Sequence, residues 1–272
     1  MKRVIVFTSS NLRHQALVKI LKESNKLIIE KAFYEKGNIL QNLVDKKEIN
    51  ILQKNHLIAR DQSEEDTFGI FIGRKREVNF NLVNRGWFSS EECLSLIKKK
   101  DPDLILVYGT SIIKGEIINY FKNKILNVHL GISPYYRGTG TNYFPFVNNE
   151  PEYCGATYMF LNSGVDTGKI IHQIRPEILT LDSFHQLSSR FLIKVFKTYR
   201  LIAENIENIS LLDDFEQRKN KKRIFIKRSE FSEESVKILY KNFSDGMISN
   251  YLLNKSIRDS KVPLIQQELD IL

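Results

Sequence analysis

Short apolar runs alternate along this chain with stretches in which apolar positions recur every three or four residues. Met1 to Thr8 is such a run, closed by Ser9-Ser10-Asn11, and it predicts a buried first strand. Leu12, Ala16, Leu17, Ile20 and Leu21 then fall on one stripe, so 11–24 predicts an amphipathic helix. The rhythm continues with a strand over Lys26–Phe33, a helix over Asn38 to about Lys54, and an alternating strand over Glu77–Val83. Between these, 55–76 is more polar and less regular, and reads either as an extension of the helix or as a cover over a site. Ser89–Lys100 predicts a helix with Ser89 or Ser90 as N-cap and Asp101-Pro102 as its stop, and Leu104–Tyr108 is the most buried-looking strand. Strand then helix, repeated, predicts an α/β fold with a mostly parallel sheet.

The second half is organised differently. Ile125–His129 reads as a buried strand, followed by a glycine- and proline-bearing loop over 130–140 and a short aromatic helix over Thr141–Asn148. Tyr143, Phe144 and Phe146 in that helix are accounted for by core packing. Two strands, Tyr153–Leu161 and Lys169–Ile174, flank a tight loop, and a long helix over Ser183–Asn205 closes the core. Beyond Ser210 the composition changes, with a short strand over Arg223–Lys227 and short helices over Glu233–Phe243 and Met247–Asn254. The expected organisation is a core over 1–209 and a small basic C-terminal extension over 210–272.

Three polar residues stand out. Asn127 and His129 lie two apart at the carboxyl end of a strand, hence on one side, where open α/β sheets place their chemistry. Asp166 sits in the loop Asn162-Ser163-Gly164-Val165-Asp166-Thr167-Gly168, from which it can fold back toward His129. An amide, an imidazole and a carboxylate together suit acyl transfer to an amine. Asn127 can donate to the developing oxyanion, His129 can take the amine proton or stabilise the oxyanion, and Asp166 can orient or charge His129 or order a water. Taken singly, Asn127 reads as a loop cap and His129 as a satisfied core histidine; the set of three points to catalysis. His14, His56, His172 and His185 read as structural or surface residues, and their spacing indicates no metal site. Cys93 and Cys154 read as small buried residues.

Asn127-Val128-His129 with Ser133-Pro134-Tyr135-Tyr136-Arg137-Gly138, followed by Gly164-Val165-Asp166-Thr167-Gly168, resembles the formyltransferase family that uses 10-formyltetrahydrofolate. Its members act on glycinamide ribonucleotide, methionyl-tRNA or amino sugars. The likeness covers most of 1–200 and is strongest over Leu104–Ile174. It implies a Rossmann-like formyltransferase core, 10-formyltetrahydrofolate as co-substrate, and catalytic roles for Asn127, His129 and Asp166. It also implies a folate-binding loop at Gly109, Thr110, Ser111, Ile112 and Ile113, with Gly164 and Gly168 contributing, although a plain strand-to-helix turn predicts the same residues at 109–113. On the acceptor side it points to Ser9, Ser10, Asn11, Arg13 and Arg137. The first loop lacks the glycines of the purine-pathway members, so anion binding at this helix N-terminus and simple capping both remain open. The His129-Leu130-Gly131-Ile132-Ser133-Pro134 form of the catalytic loop is similar to that of the sugar N-formyltransferases. The resemblance therefore implies formylation of a nucleotide-linked amino sugar for surface polysaccharide (O-antigen or capsule) biosynthesis. The alternatives are a methionyl-tRNA formyltransferase-like enzyme, a formyltetrahydrofolate hydrolase, or a binding protein on the same scaffold.

Charge changes this picture only slightly. The formal net charge of +9 favours anionic partners such as nucleotide-sugars, polyglutamylated folate or tRNA. Basic residues concentrate at Lys98-Lys99-Lys100 and over Gln217–Arg228, which reads either as a phosphate-binding face or as a solvated linker. The tRNA-acting members carry a C-terminal β-barrel, whereas the end of this chain reads as short helices, so nucleic acid is not the expected partner. Expected partners are the amino sugar and folate, with a homodimer left open. No apolar run approaches the ~18 residues of a membrane span, and Met1–Thr8 turns polar too soon for a signal peptide, so the expected compartment is the cytoplasm.

Overall fold

A computed structural model describes residues 1–37, 49–73, 81–209 and 224–269, and a seven-stranded sheet forms its centre. Strands β1 (Lys2–Ser9), β2 (Leu27–Glu35), β3 (Asn81–Val83), β4 (Leu104–Val107) and β5 (Ile125–His129) are parallel, in the order β3-β2-β1-β4-β5. Strand β6 (Tyr136–Gly138) stands apart from this sheet. Next to β5 lie β7 (Ala156–Phe160), antiparallel to it, and β8 (Ile170–Ile174), antiparallel to β7, so one strand of the seven is reversed. The last strand, β9 (Ile224–Ile226), pairs in parallel with β6 as a separate ribbon. The strand order reverses between β1 and β4, and the crevice at such a switch point is where open sheets bind ligands.

Helices α1 (Leu12–Lys22), α2 (Ile51–Ile72), α3 (Glu91–Lys100), α4 (Glu116–Tyr120), α5 (Phe144–Val147), α6 (Phe184–Glu204), α7 (Glu233–Ser244), α8 (Met247–Leu253) and α9 (Lys255–Ser260) surround these strands. Strand alternation sorts the side chains between two layers. Val4, Val6, Leu104 and Leu106 pack with α1, α2 and α6, while Ile5, Phe7, Ile105 and Val107 pack with α3 and α4. Burial on both faces accounts for the continuous apolar runs of β1 and β4. From α6, the Tyr199 hydroxyl accepts from the Val107 N–H at 2.9 Å and donates to the Leu126 carbonyl at 2.5 Å, bridging β4 and β5 just before the carboxyl end of β5. A third apolar cluster joins Ile132, Tyr135, Tyr136 and Phe146 to Ile226, Val236, Leu239 and Tyr251, so the C-terminal residues share a core with the loop after β5.

Of the helix expected over Asn38 to about Lys54, the described part begins at Ile51. Asn50 has extended backbone angles and caps a helix beginning at Ile51, its side chain accepting from the Gln53 N–H at 2.9 Å while the Gln53 side chain accepts from the Asn50 N–H at 3.2 Å. Residues 38–48 of that expectation lie outside the described residues. The helix then runs through the stretch read as irregular. Its buried face carries the polar Gln53, His56 and Glu64, which breaks the apolar stripe that periodicity relies on. Likewise, the strand expected over Glu77–Val83 is described from Asn81, and the expected core boundary and basic run Gln217–Arg223 fall within 210–223, outside the described residues.

Candidate active site

Strand β5 ends at His129, whose ring is 8% exposed and flanked on both sides by oxygens. Its Nε2 lies 3.2 Å from the Tyr136 carbonyl and its Nδ1 lies 3.4 Å from Asp166 Oδ1. The Tyr136 carbonyl and the Asp166 carboxylate both only accept, so a neutral ring donates to one of them and a doubly protonated ring donates to both. Asn127, one full strand period earlier on the same side, is half-buried, and its side chain makes no hydrogen bond among the described residues. The structure therefore brings together the three residues expected to be catalytic: His129 and Asp166 in contact, with an uncommitted amide beside them.

Asp166 and His129 are positioned by β6, which uses its two edges for different partners. Toward β9, the Tyr135 carbonyl accepts from the Ile224 N–H at 2.7 Å and the Thr139 N–H donates to the Ile226 carbonyl at 3.0 Å. On the opposite edge, the Tyr136 carbonyl faces His129 and the Gly138 N–H donates to Asp166 Oδ2 at 3.2 Å. Successive peptide groups of an extended chain point to alternate edges, which is how three residues serve both. Gly138 is required here: its φ is 93°, and a Cβ would stand 2.3 Å from the Ile226 carbonyl oxygen. Asp166 itself has a left-handed backbone, φ 51°, which short polar residues adopt more readily than most.

The start of the loop after β5 is held by groups that no sequence pattern marked. Buried Thr157 donates to the Gly131 carbonyl at 2.6 Å and accepts from the Ser133 N–H at 3.0 Å, while buried Gln173 donates to the Ser133 carbonyl at 2.8 Å. Neither residue type, on a strand, signals such a role. Gly131 lets the chain cross the imidazole, since a Cβ there would meet His129 Nε2 at 2.7 Å.

At the other side of the crevice, Gly109 to Ile113 follow β4. Gly109 has φ 65° and lies against His14, whose burial, with Arg13 adding, holds it well below the ordinary histidine range. Thr110 donates to the Ser111 carbonyl at 2.8 Å; Ile112 is exposed and Ile113 buried. The loop is anchored by Glu35 at the end of β2, another residue the sequence reading missed. Its buried carboxylate accepts from the Ser111 N–H and hydroxyl at 2.7 and 2.5 Å and from the Gly86 N–H at 2.7 Å. A carboxylate ending the buried run Ala32-Phe33-Tyr34 was the available signal. Gly164 and Gly168 have a packing reason of their own: a Cβ would meet Thr167 Oγ1 at 2.1 Å and the Phe160 carbonyl oxygen at 1.6 Å, respectively.

The expected acceptor residues are not gathered in one place. Ser9, Ser10 and Asn11 line the end of β1, with Asn11 at the N-cap of α1 and making no side-chain capping bond. Arg13 turns away from that loop to Glu64 of α2, with Nη2–Oε1 at 2.5 Å and Nε–Oε2 at 3.1 Å, so its guanidinium is spent on a buried ion pair. Arg137 lies on β6, beside the catalytic pair. The remaining histidines are buried, and burial lowers His56 to about 3 and His172 and His185 to about 4. Cys93 and Cys154 are free, buried thiols, and burial pushes Cys93 up to about 12. Among the described residues no group of His, Cys, Asp or Glu is arranged to hold a metal, and no helix is long and apolar enough to cross a membrane.

Residues 2–200 match the formyl transferase family. The chain is 29% identical over 170 residues to the methionyl-tRNA formyltransferase of Finegoldia magna, an alignment spanning 62% of this chain and 49% of that protein. It spans about half the length of the curated relatives it matches. Phosphoribosylglycinamide formyltransferase from Anaplasma phagocytophilum shares the fold with a TM-score of 0.54 at 18% identity, covering 83% of this chain and 99% of that one. A candidate sugar N-formyltransferase from Mycobacterium tuberculosis does so with a TM-score of 0.53 at 14% identity, covering 85% and 77%. With the match extending over most of the sheet and through Asn127, His129 and Asp166, the chain belongs to the formyl transferase family.

Proposed function

We propose that this protein transfers a formyl group from 10-formyltetrahydrofolate to the amine of a nucleotide-linked amino sugar. The observation that carries the reaction is His129 Nδ1 facing Asp166 at 3.4 Å with the free Asn127 amide on the same side. The amine attacks the formyl carbon, a new C–N bond forms, and the carbonyl electron pair moves onto oxygen, where the Asn127 amide N–H donates to it. His129 takes the amine proton, and Asp166 stabilises the resulting imidazolium. Collapse of the tetrahedral centre breaks its bond to the folate nitrogen, which leaves with the proton. The donor fits the crevice at the β1–β4 switch point, with Gly109 to Ile113 as its loop and exposed Ile112 as an apolar contact. Gly164 and Gly168 shape the loop facing it. The sugar acceptor is supported by the His129-to-Gly138 loop form and by Arg137 beside the catalytic pair. The described C-terminal residues, 224–269, share an apolar core with the loop after β5 and so support the acceptor side.

A second reading, methionyl-tRNA as acceptor, is favoured by the sequence match to the Finegoldia magna enzyme. The deciding experiment supplies 10-formyltetrahydrofolate and follows tetrahydrofolate release with nucleotide-linked amino sugars, initiator methionyl-tRNA, glycinamide ribonucleotide, or no acceptor. Release that depends on the sugar is the expected result. Release only with tRNA establishes the second reading, and equal release without any amine makes the protein a hydrolase.

A further inference from the structure

The β6–β9 ribbon has two faces. Tyr136 and Ile226 turn inward to the apolar cluster, so the residues offset from them by one, Arg137 and its cross-strand partner Phe225, share the outer face. Both are anomalous there. Arg137 is half-buried, its Nε is shut off from solvent with no hydrogen-bond partner, and no carboxylate pairs with its guanidinium among the described residues. Withdrawing guanidinium donors from water without supplying acceptors is unfavourable, so such a group is ordinarily paired. Phe225 is 52% exposed, unlike Ile226 beside it, which is 1% exposed. The peptide groups on either side of Arg137 are the ones that hold His129 and Asp166.

We propose that Arg137 and Phe225 form a subsite for the nucleoside diphosphate of the acceptor, the guanidinium holding the diphosphate and the aromatic ring stacking on the base. The proposal rests on the reading of the protein as an enzyme that formylates a nucleotide-linked amine. A planar guanidinium matches two phosphate oxygens at once, and the diphosphate supplies the anionic partner that Arg137 lacks among the described residues. An aromatic face binds any base, so the pair selects for the nucleoside diphosphate class and leaves discrimination of the sugar to the residues nearer His129. The sugar is the part of such an acceptor that lies between diphosphate and amine, and it spans the step from Arg137 to His129. The net charge of +9 draws in an anion of this kind.

Calorimetric titration of the full chain with uridine diphosphate, thymidine diphosphate and inorganic pyrophosphate tests this, with tetrahydrofolate titrated in parallel. A nucleoside diphosphate is expected to bind the wild type. Arg137→Ala is expected to weaken nucleoside diphosphate and pyrophosphate alike by about tenfold or more, with Arg137→Lys recovering only part. Phe225→Ala is expected to weaken the nucleoside diphosphate by about tenfold and to leave pyrophosphate unchanged. Undiminished nucleoside diphosphate binding in Arg137→Ala overturns the subsite. So does a wild type that binds tetrahydrofolate and none of the three anions, an outcome that leaves formyl transfer standing. Anion binding as expected without tetrahydrofolate binding supports the subsite and overturns the formyl donor.

Discussion

The loop after β4 is tied down by the strands next to it, whereas the loop after β5 is tied to a strand from the far end of the chain. On the first side Glu35, ending the strand beside β1, gathers Ser111 and Gly86 with one buried carboxylate. On the second side β9 pairs with β6, and the other edge of β6 holds His129 and Asp166. One wall is thus a product of the sheet, and the other depends on the C-terminal residues folding back. The difference teaches that this C-terminal segment supports the strand whose other edge contacts His129 and Asp166. His56 and His185 reinforce the attachment, since each contacts the Tyr240 hydroxyl of α7, at 3.1 and 3.2 Å.

Removing the catalytic groups produces the largest effects expected at either wall. His129→Ala should lower kcat by about 10²–10⁴ and Asn127→Ala by about 10²–10³, with tetrahydrofolate still bound. Near-wild-type turnover in either variant removes that residue from the mechanism. Asp166→Asn keeps a residue tolerant of the left-handed backbone and removes only the charge, so its loss should fall short of His129→Ala. Turnover equal to the wild type would show that the carboxylate charge is not used.

Gly138→Ala attacks the second wall without touching a catalytic side chain. The added Cβ collides with the Ile226 backbone, which has no rotamer to yield, so stability should fall by about 1–3 kcal/mol and kcat with it. A variant with unchanged kcat would separate β9 from the catalytic pair. Glu35→Gln is the matching test of the first wall. The amide presents one acceptor where three donors converge, so the KM for 10-formyltetrahydrofolate should rise by about tenfold while kcat changes less. If kcat alone falls, Glu35 does not shape the donor loop.

The smallest effect is on the pH dependence of stability. Burial, the leading cause in each case, lowers His56 to about 3 and His185 and His172 to about 4. These groups stay neutral in the folded chain and bind protons when unfolded. Their packing contribution is therefore intact above about pH 6.5 and is lost as pH falls through the window toward 4. Urea midpoints taken at about pH 7 and about pH 5 should show the decline. His56→Gln should flatten it, and an unaltered slope would show that His56 does not govern it.

Much of the site was legible because it is local. Asn127 and His129 lie two apart on a strand whose apolar run ends at the catalytic position, and strand period alone places them together. The α/β rhythm and the Ser90 N-cap, which accepts from the Cys93 N–H at 3.1 Å, follow from the same short-range rules. For 55–72 they left helix extension as only one of two readings, because the buried face of α2 carries Gln53, His56 and Glu64, each matched to partners elsewhere in the chain. Arg13 shows the same limit. Its place at a helix start marks it for an anion, and Glu64, far along the sequence, takes it instead. Sequence by itself marked the sheet, the caps and the candidate residues Asn127, His129 and Asp166, since periodicity and turn chemistry act over a few neighbours. Tertiary structure alone decided which carboxylate holds the 109–113 loop, which strand holds the loop after β5 and that Arg137 has no ion-pair partner among the described residues, because hydrogen bonds between distant segments leave no periodic trace.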